Sequence, residues 1–183
     1  MTISEARVPL LEREHVPPQV AQLYDTLLAT RGVVPNMFKA LSNLPPLVLA
    51  VAELLKPVMG EGNLSGWYKE LVATLVASLN KCDYCVAAHT HLALVRGATP
   101  QQVESLSAFE TGPFTEKEKV GFRYASLLHI SGHMIDDSAH AAVAVHYNPQ
   151  ELLELTALAA AFEFFSRINT ALRIPVTQLP EAK

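Results

Sequence analysis

The most reactive side chains of this 183-residue chain fall within one short stretch, as Cys82, Cys85 and His89 in the pattern Cys-x-x-Cys-x-x-x-His. A thiol attacks a peroxide or a disulfide only as the thiolate. A redox cysteine therefore needs a feature that lowers its pKa, a base that takes the proton, and a second thiol that resolves the product. The stretch offers all three. Cysteines placed in a first helical turn sit near exposed backbone N–H groups, which favour the thiolate, although Asp83 opposes that effect. Cys85 and His89 are spaced i, i+4 and share one helix face, so the imidazole is a candidate proton acceptor, directly or through a water. Upstream, Glu70 stands near the start of a strongly apolar segment, and a carboxyl drawn into an apolar bundle is suited to relaying protons. Spacing alone does not bring Glu70 to His89, because the two belong to different helices.

Competing chemistry is weaker. A structural zinc site needs four ligands, and no second Cys-x-x-Cys is present. His91 as a fourth ligand beside His89 would strain the geometry. His129 and His133 are also spaced i, i+4, with Asp136 and Asp137 close by, but Gly132 and an expected loop weaken a metal site there. The first nineteen residues, MTISEARVPLLEREHVPPQ, lack the apolar core of a secretory signal. The most apolar run, 71–79, is far too short to span a bilayer. A cytoplasmic location is expected, where a structural disulfide is rare and a close cysteine pair points to redox work. Charged residues make up only 17% of the chain and the net charge is -4. The first value suggests surface covered by the chain itself or by another subunit, and the second argues against nucleic acid as a partner.

The elements that must position these residues read as helices almost throughout. Strand-period alternation is absent and prolines gather at boundaries. Pro17 and Pro18 open a helix that Gly32 stops. Asn36 is expected to cap a short helix through Leu41, and Pro45 and Pro46 begin a longer one through Val58. Ser65 is the expected N-cap of a helix over 66–79, whose middle is apolar nearly all round and hence buried. Asn80 interrupts it, and a further helix carries Cys85 to Arg96, ended by Gly97. Thr99-Pro100 starts a short helix. Thr115 with Glu118 forms a capping box for a helix through Ile130. Residues 131–137 read as a loop, 138–146 as a helix, and Asn148-Pro149 opens a last long helix through Leu172. One all-α bundle over 1–183 is expected, with no internal repeat.

Residues 70–89, ELVATLVASLNKCDYCVAAH, resemble the core motif of the AhpD-like alkyl hydroperoxidases within the carboxymuconolactone decarboxylase superfamily. The glutamate, the cysteine pair and the histidine all fall in register. Residues 34–38, VPNMF, and 162–169, FEFFSRIN, are similar to the opening segment and closing helix of the family's peroxidase-related branch. The resemblance implies an AhpD-like multi-helix bundle with its core over about 45–110, assembled as a homo-oligomer, trimer or hexamer. It implies reduction of alkyl hydroperoxides, with Cys85 as the peroxidatic thiol, Cys82 as the resolving thiol, and Glu70 and His89 as a proton relay. It implies no bound cofactor and an external lipoyl- or thioredoxin-type dithiol as electron donor. Tyr84 departs from the best-known member, which has a second histidine there, and its hydroxyl is left to orient a water. That departure favours, as an alternative, a thiol–disulfide oxidoreductase or redox sensor. A carboxymuconolactone-type decarboxylase is a weaker alternative, since the family's decarboxylases generally lack the cysteine pair.

The remaining notable residues have blander assignments. His91, on another face from His89, is expected at the surface or an interface, as are His140 and His146. Trp67 and Tyr68 are expected to cover the site or an interface. Phe162, Phe164 and Phe165 are expected in the core or at subunit contacts, and Arg167 beside an acid not identifiable from sequence.

Overall fold

The computed structural model describes residues 6–178. Among them are nine α-helices and short 3-10 turns, with no strand. The helices are α1 (Pro18–Arg31), α2 (Asn36–Leu41), α3 (Pro45–Met59), α4 (Gly66–Leu79), α5 (Asp83–Val95), α6 (Pro100–Glu104), α7 (Glu116–Ile130), α8 (Asp137–Ala144) and α9 (Pro149–Ala171). Most boundaries lie where local chemistry predicts them, although α5 begins at Asp83 rather than Cys85 and α8 ends at Ala144 rather than His146. Pro18, Pro45, Pro100 and Pro149 occupy first-turn positions, and three helices (α6, α7 and α9) begin with reciprocal capping boxes. Gly32 ends α1 in the left-handed conformation.

Helix α4 is the axis of the bundle. It packs against α5, α7 and α9, and every side chain from Tyr68 to Ala77 is buried. Its polar residues survive burial through local bonds. Thr74 donates to the Glu70 carbonyl and Ser78 to that of Thr74. Lys69, fully buried, donates to the Gly60 carbonyl at 2.8 Å and pairs with Glu154 of α9. Glu154 in turn accepts from the backbone N–H groups of Asn63 and Leu64, so this pair ties the α3–α4 connection to α9.

Two expected caps work differently. Ser65 precedes α4, but its side chain makes no capping bond. Asn36 is the first residue of α2 rather than its cap, and its side chain donates to the Pro175 carbonyl at 3.1 Å. The segment after α9 therefore returns over α2. Among the described residues no helix is long and apolar enough to cross a membrane.

Candidate active site

The cysteine pair sits at the junction of α4 and α5, and the junction's geometry sets the role of each sulfur. Lys81 adopts a left-handed φ of 53°. The Cys82 N–H donates to the Ala77 carbonyl at 2.9 Å and the Lys81 N–H to that of Ser78 at 3.0 Å. These are the two bonds of a Schellman ending, here made by a lysine at the position glycine favours, at a strain of roughly 1–2 kcal/mol. Cys82 thus closes α4 and is also the N-cap of α5. Its sulfur accepts from the Cys85 N–H at 3.4 Å, where serine or aspartate usually acts.

This placement favours negative charge on Cys82. Its pKa falls from the ordinary 9.0 to about 6, first through a hydrogen bond from the Cys85 thiol, against the opposing effect of burial, and further through the Cys85 N–H and the nearness of the Thr170 and Ser166 hydroxyls, the latter making no hydrogen bond among the described residues. Cys85 moves upward, because its proton is shared with Cys82 and its site is buried. The pair therefore holds one negative charge and one proton between two sulfurs. Asp83, the acid expected to oppose this, is exposed.

Of the two sulfurs, Cys85 belongs to the residue lining a cavity of about 570 Å³, and Cys82 does not. Both cysteines are free and only 2% exposed. The Asn169 side chain of α9 donates to the Cys85 sulfur at 3.3 Å. Its Oδ1 is buried and without a hydrogen-bond partner, although the residue lines the cavity.

Glu70 and His89 meet across α4 and α5. Glu70, 1% exposed, approaches His89 Nδ1 to 2.5 Å through Oε2. Its Oε1 faces Arg96 Nε at 3.3 Å, and Arg96 also donates to the Met59 carbonyl at 2.8 Å. A carboxylate on Nδ1 holds the Nδ1–H tautomer and leaves Nε2 as the basic nitrogen. The imidazole and the Phe162 ring pack in a T-shaped arrangement, with ring centroids 4.5 Å apart. No direct hydrogen bond joins His89 to Cys85 among the described residues, and both line the same cavity. A proton passing between them travels through whatever occupies that cavity.

Tyr84 lies beside Cys85 in sequence, but its hydroxyl is already engaged. It accepts from the Met37 N–H at 3.1 Å and bonds the Thr177 hydroxyl at 3.1 Å, while Thr177 accepts from the Asn36 N–H. Tyr84 thereby clasps α2 and the segment after α9 onto α5.

The other residues singled out in the sequence divide between expected and unexpected places. His91, expected at the surface or an interface, is half-buried and lines the cavity with His89. Phe162 and Phe165 lie in the core, as expected, and also form cavity walls, whereas Phe164 is exposed. Tyr68 lies away from the cavity, bonded to the Tyr147 hydroxyl and the Glu118 carbonyl. Glu163 is the acid expected beside Arg167, which it meets at 3.0 Å, and it also meets His129 at 2.7 Å. Sequence reasoning missed Arg96, Arg31, Asn169 and Ser166. The first had a readable trace, because His89 and Arg96 are seven apart and lie on one face of a continuous helix.

Residues 45–126, spanning α3 to most of α7 and including this site's α4 and α5 residues but neither Arg31 of α1 nor the α9 contacts, match the model of the carboxymuconolactone decarboxylase family. This region belongs to that family. In sequence the chain is similar to the uncharacterized protein YnjA of Escherichia coli (strain K12), 25% identical over 119 residues, a match covering 63% of this chain and 65% of YnjA. The chain thus accounts for just under two thirds of that relative. In structure it resembles a peroxidase-related protein with an alkylhydroperoxidase AhpD core from Ralstonia eutropha JMP134, at a TM-score of 0.88, 19% identity, and coverage of 94% of this chain and 93% of that one. It also resembles the debrominase Bmp8, at a TM-score of 0.82, 21% identity, and coverage of 96% and 94%. At these identities the likeness establishes the fold, which is AhpD-like and all-α.

Proposed function

We propose that this protein reduces organic hydroperoxides with the Cys82–Cys85 pair. The observation that carries this reading is the opening of Cys85 onto a cavity that also holds a histidine whose Nδ1 is tied to a buried carboxylate. His89 Nε2 takes the first proton from the pair, and Glu70 stabilises the imidazolium. One proton remains between the sulfurs. As it settles on Cys82, the Cys85 thiolate attacks the terminal peroxide oxygen. The O–O bond breaks, Cys85 becomes a sulfenic acid, and the leaving alkoxide takes the proton from His89. The Cys82 thiol then displaces hydroxide from the sulfenic sulfur, giving a disulfide and water. An external dithiol reduces the disulfide by exchange. Sulfurs this buried suit a slender donor of lipoyl type more than the flat face of a thioredoxin-type protein. The same burial disfavours reduction of folded protein disulfides.

Chemical trapping tests this mechanism. Treating the reduced protein with cumene hydroperoxide should consume one equivalent of peroxide and yield a Cys82–Cys85 disulfide that a dithiol reverses. Cys82→Ser should accumulate a sulfenic acid at Cys85 that dimedone captures. Undiminished peroxide consumption by Cys85→Ser would overturn the assignment.

A second reading is reductive dehalogenation, favoured by the fold shared with a debrominase and by the aromatic cavity wall of Phe38, Phe162 and Phe165. The same pair of thiols supplies the two electrons that replace carbon–bromine by carbon–hydrogen, releasing bromide. Bromide release from a bromopyrrole by the reduced protein distinguishes it.

A further inference from the structure

The cavity of about 570 Å³ lies within the range of small-molecule sites and far exceeds what hydrogen peroxide needs. Its walls are largely apolar, and its charged groups are unevenly matched. Glu70 is the carboxylate in the lining, and it is already held by His89 and Arg96. Arg31, at the end of α1, lines the cavity as well and has no ion-pair or hydrogen-bond partner among the described residues. An arginine in the last turn of a helix favours that terminus, and this alone would explain a solvated one. Arg31 is different in its surroundings. It is open to solvent at the rim, yet enough protein crowds it that lost hydration lowers its pKa, with Glu70 attracting its charge and Arg96 repelling it.

Resting on the hydroperoxide reading, we infer that the substrate is an apolar organic hydroperoxide with a carboxylate, and that Arg31 binds this carboxylate while Phe38, Phe162 and Phe165 hold the body and Cys85 meets the peroxide. One unmatched cation balances one monoanion. A phosphate dianion would leave excess negative charge beside Glu70, so the carboxylate fits better. Arginine also pairs with carboxylate in a planar, two-bonded fork. The chemistry at Cys85 is unchanged: the thiolate takes the terminal oxygen, and the remainder of the substrate leaves as an alcohol bearing the same carboxylate.

Two matched pairs of compounds test this. The first is unreactive: 4-isopropylbenzoate and its methyl ester, titrated calorimetrically into the reduced protein. The second is reactive: 4-(2-hydroperoxypropan-2-yl)benzoate and its methyl ester, with loss of protein thiols followed by rapid quenching. Wild type should prefer the acid over the ester by about tenfold or more in both binding and thiol oxidation, the scale of one charge-assisted hydrogen bond. Arg31→Gln should bring both ratios to about one, and Arg31→Lys should restore part of the preference. Circular dichroism of each variant should match wild type. Equal binding of acid and ester by wild type, or a preference that survives in Arg31→Gln, would overturn the carboxylate site. If the binding preference behaves as expected but neither peroxide oxidises the thiols, the carboxylate site stands and the hydroperoxide function falls.

Discussion

The split titration of the cysteine pair should appear in the pH dependence of stability. Cys82 is an acid whose pKa in the folded protein lies near 6, against an ordinary 9.0. Its contribution is therefore fully present above the unfolded value and is lost as pH falls through the folded one. Moving the reduced protein from about pH 5.5 to about pH 8.5 should add about 3 kcal/mol of stability from this group alone. Cys85 acts in the opposite sense. Its pKa is raised on folding by the proton shared with Cys82 and by burial, so the unfolded chain ionises it first, and the gain should reverse above the ordinary thiol range. The assay is urea unfolding in excess reductant across this interval, on wild type and on Cys82→Ser. Histidines and carboxylates titrate in both proteins, so the difference between their pH dependences isolates the pair. A difference below about 1 kcal/mol would refute a depressed thiol at the N-cap of α5, and with it the physical basis for a thiolate in this site.

Other perturbations separate chemistry from support. Glu70→Gln should slow peroxide-driven thiol oxidation by about 10²-fold or more, the usual size of a general-base contribution, in a stopped-flow assay at neutral pH. Asn169→Leu removes the donor to the Cys85 sulfur and the unpartnered amide oxygen at nearly constant volume, and should slow the same reaction about tenfold or more while far-UV circular dichroism stays unchanged. Tyr84→Phe leaves the buried Met37 N–H without its acceptor and should cost about 1–3 kcal/mol in chemical unfolding, with a smaller rate loss than Glu70→Gln. Gly121→Ala would set a methyl group against the paired hydroxyls of Tyr68 and Tyr147, and should lower unfolding stability by roughly 1–3 kcal/mol, with the cysteines still able to form their disulfide.

Helix starts were the most legible feature of the chain, because capping is local. Thr99, Thr115 and Asn148 each cap a helix with a partner three residues on, so a few consecutive residues contain the whole interaction. The burial of α4 was equally plain, since an apolar helix with no polar face has nowhere else to go. The exceptions are instructive. The Asn36 side chain reaches Pro175, and the Tyr84 hydroxyl reaches Met37 and Thr177. Each has a side chain suited to a local role, and in each a distant partner claimed the hydrogen bond instead.

By itself the sequence determined that the two thiols share one helical turn, that His89 stands one turn beyond Cys85, and that the helices around them form an all-α bundle. These are consequences of spacing along a helix and of periodic burial. Tertiary structure alone decided that Glu70 on α4 meets His89 on α5 and Arg96 at its end, that Asn169 reaches Cys85 from α9, and that Arg31 arrives from α1 with no ion-pair partner among the described residues. It also divided the cysteines, giving the capping position and the charge to Cys82 and the cavity to Cys85. Contacts among side chains from different helices depend on how those helices cross. A one-dimensional pattern shows which face each helix buries, but not which residue waits on the opposite wall.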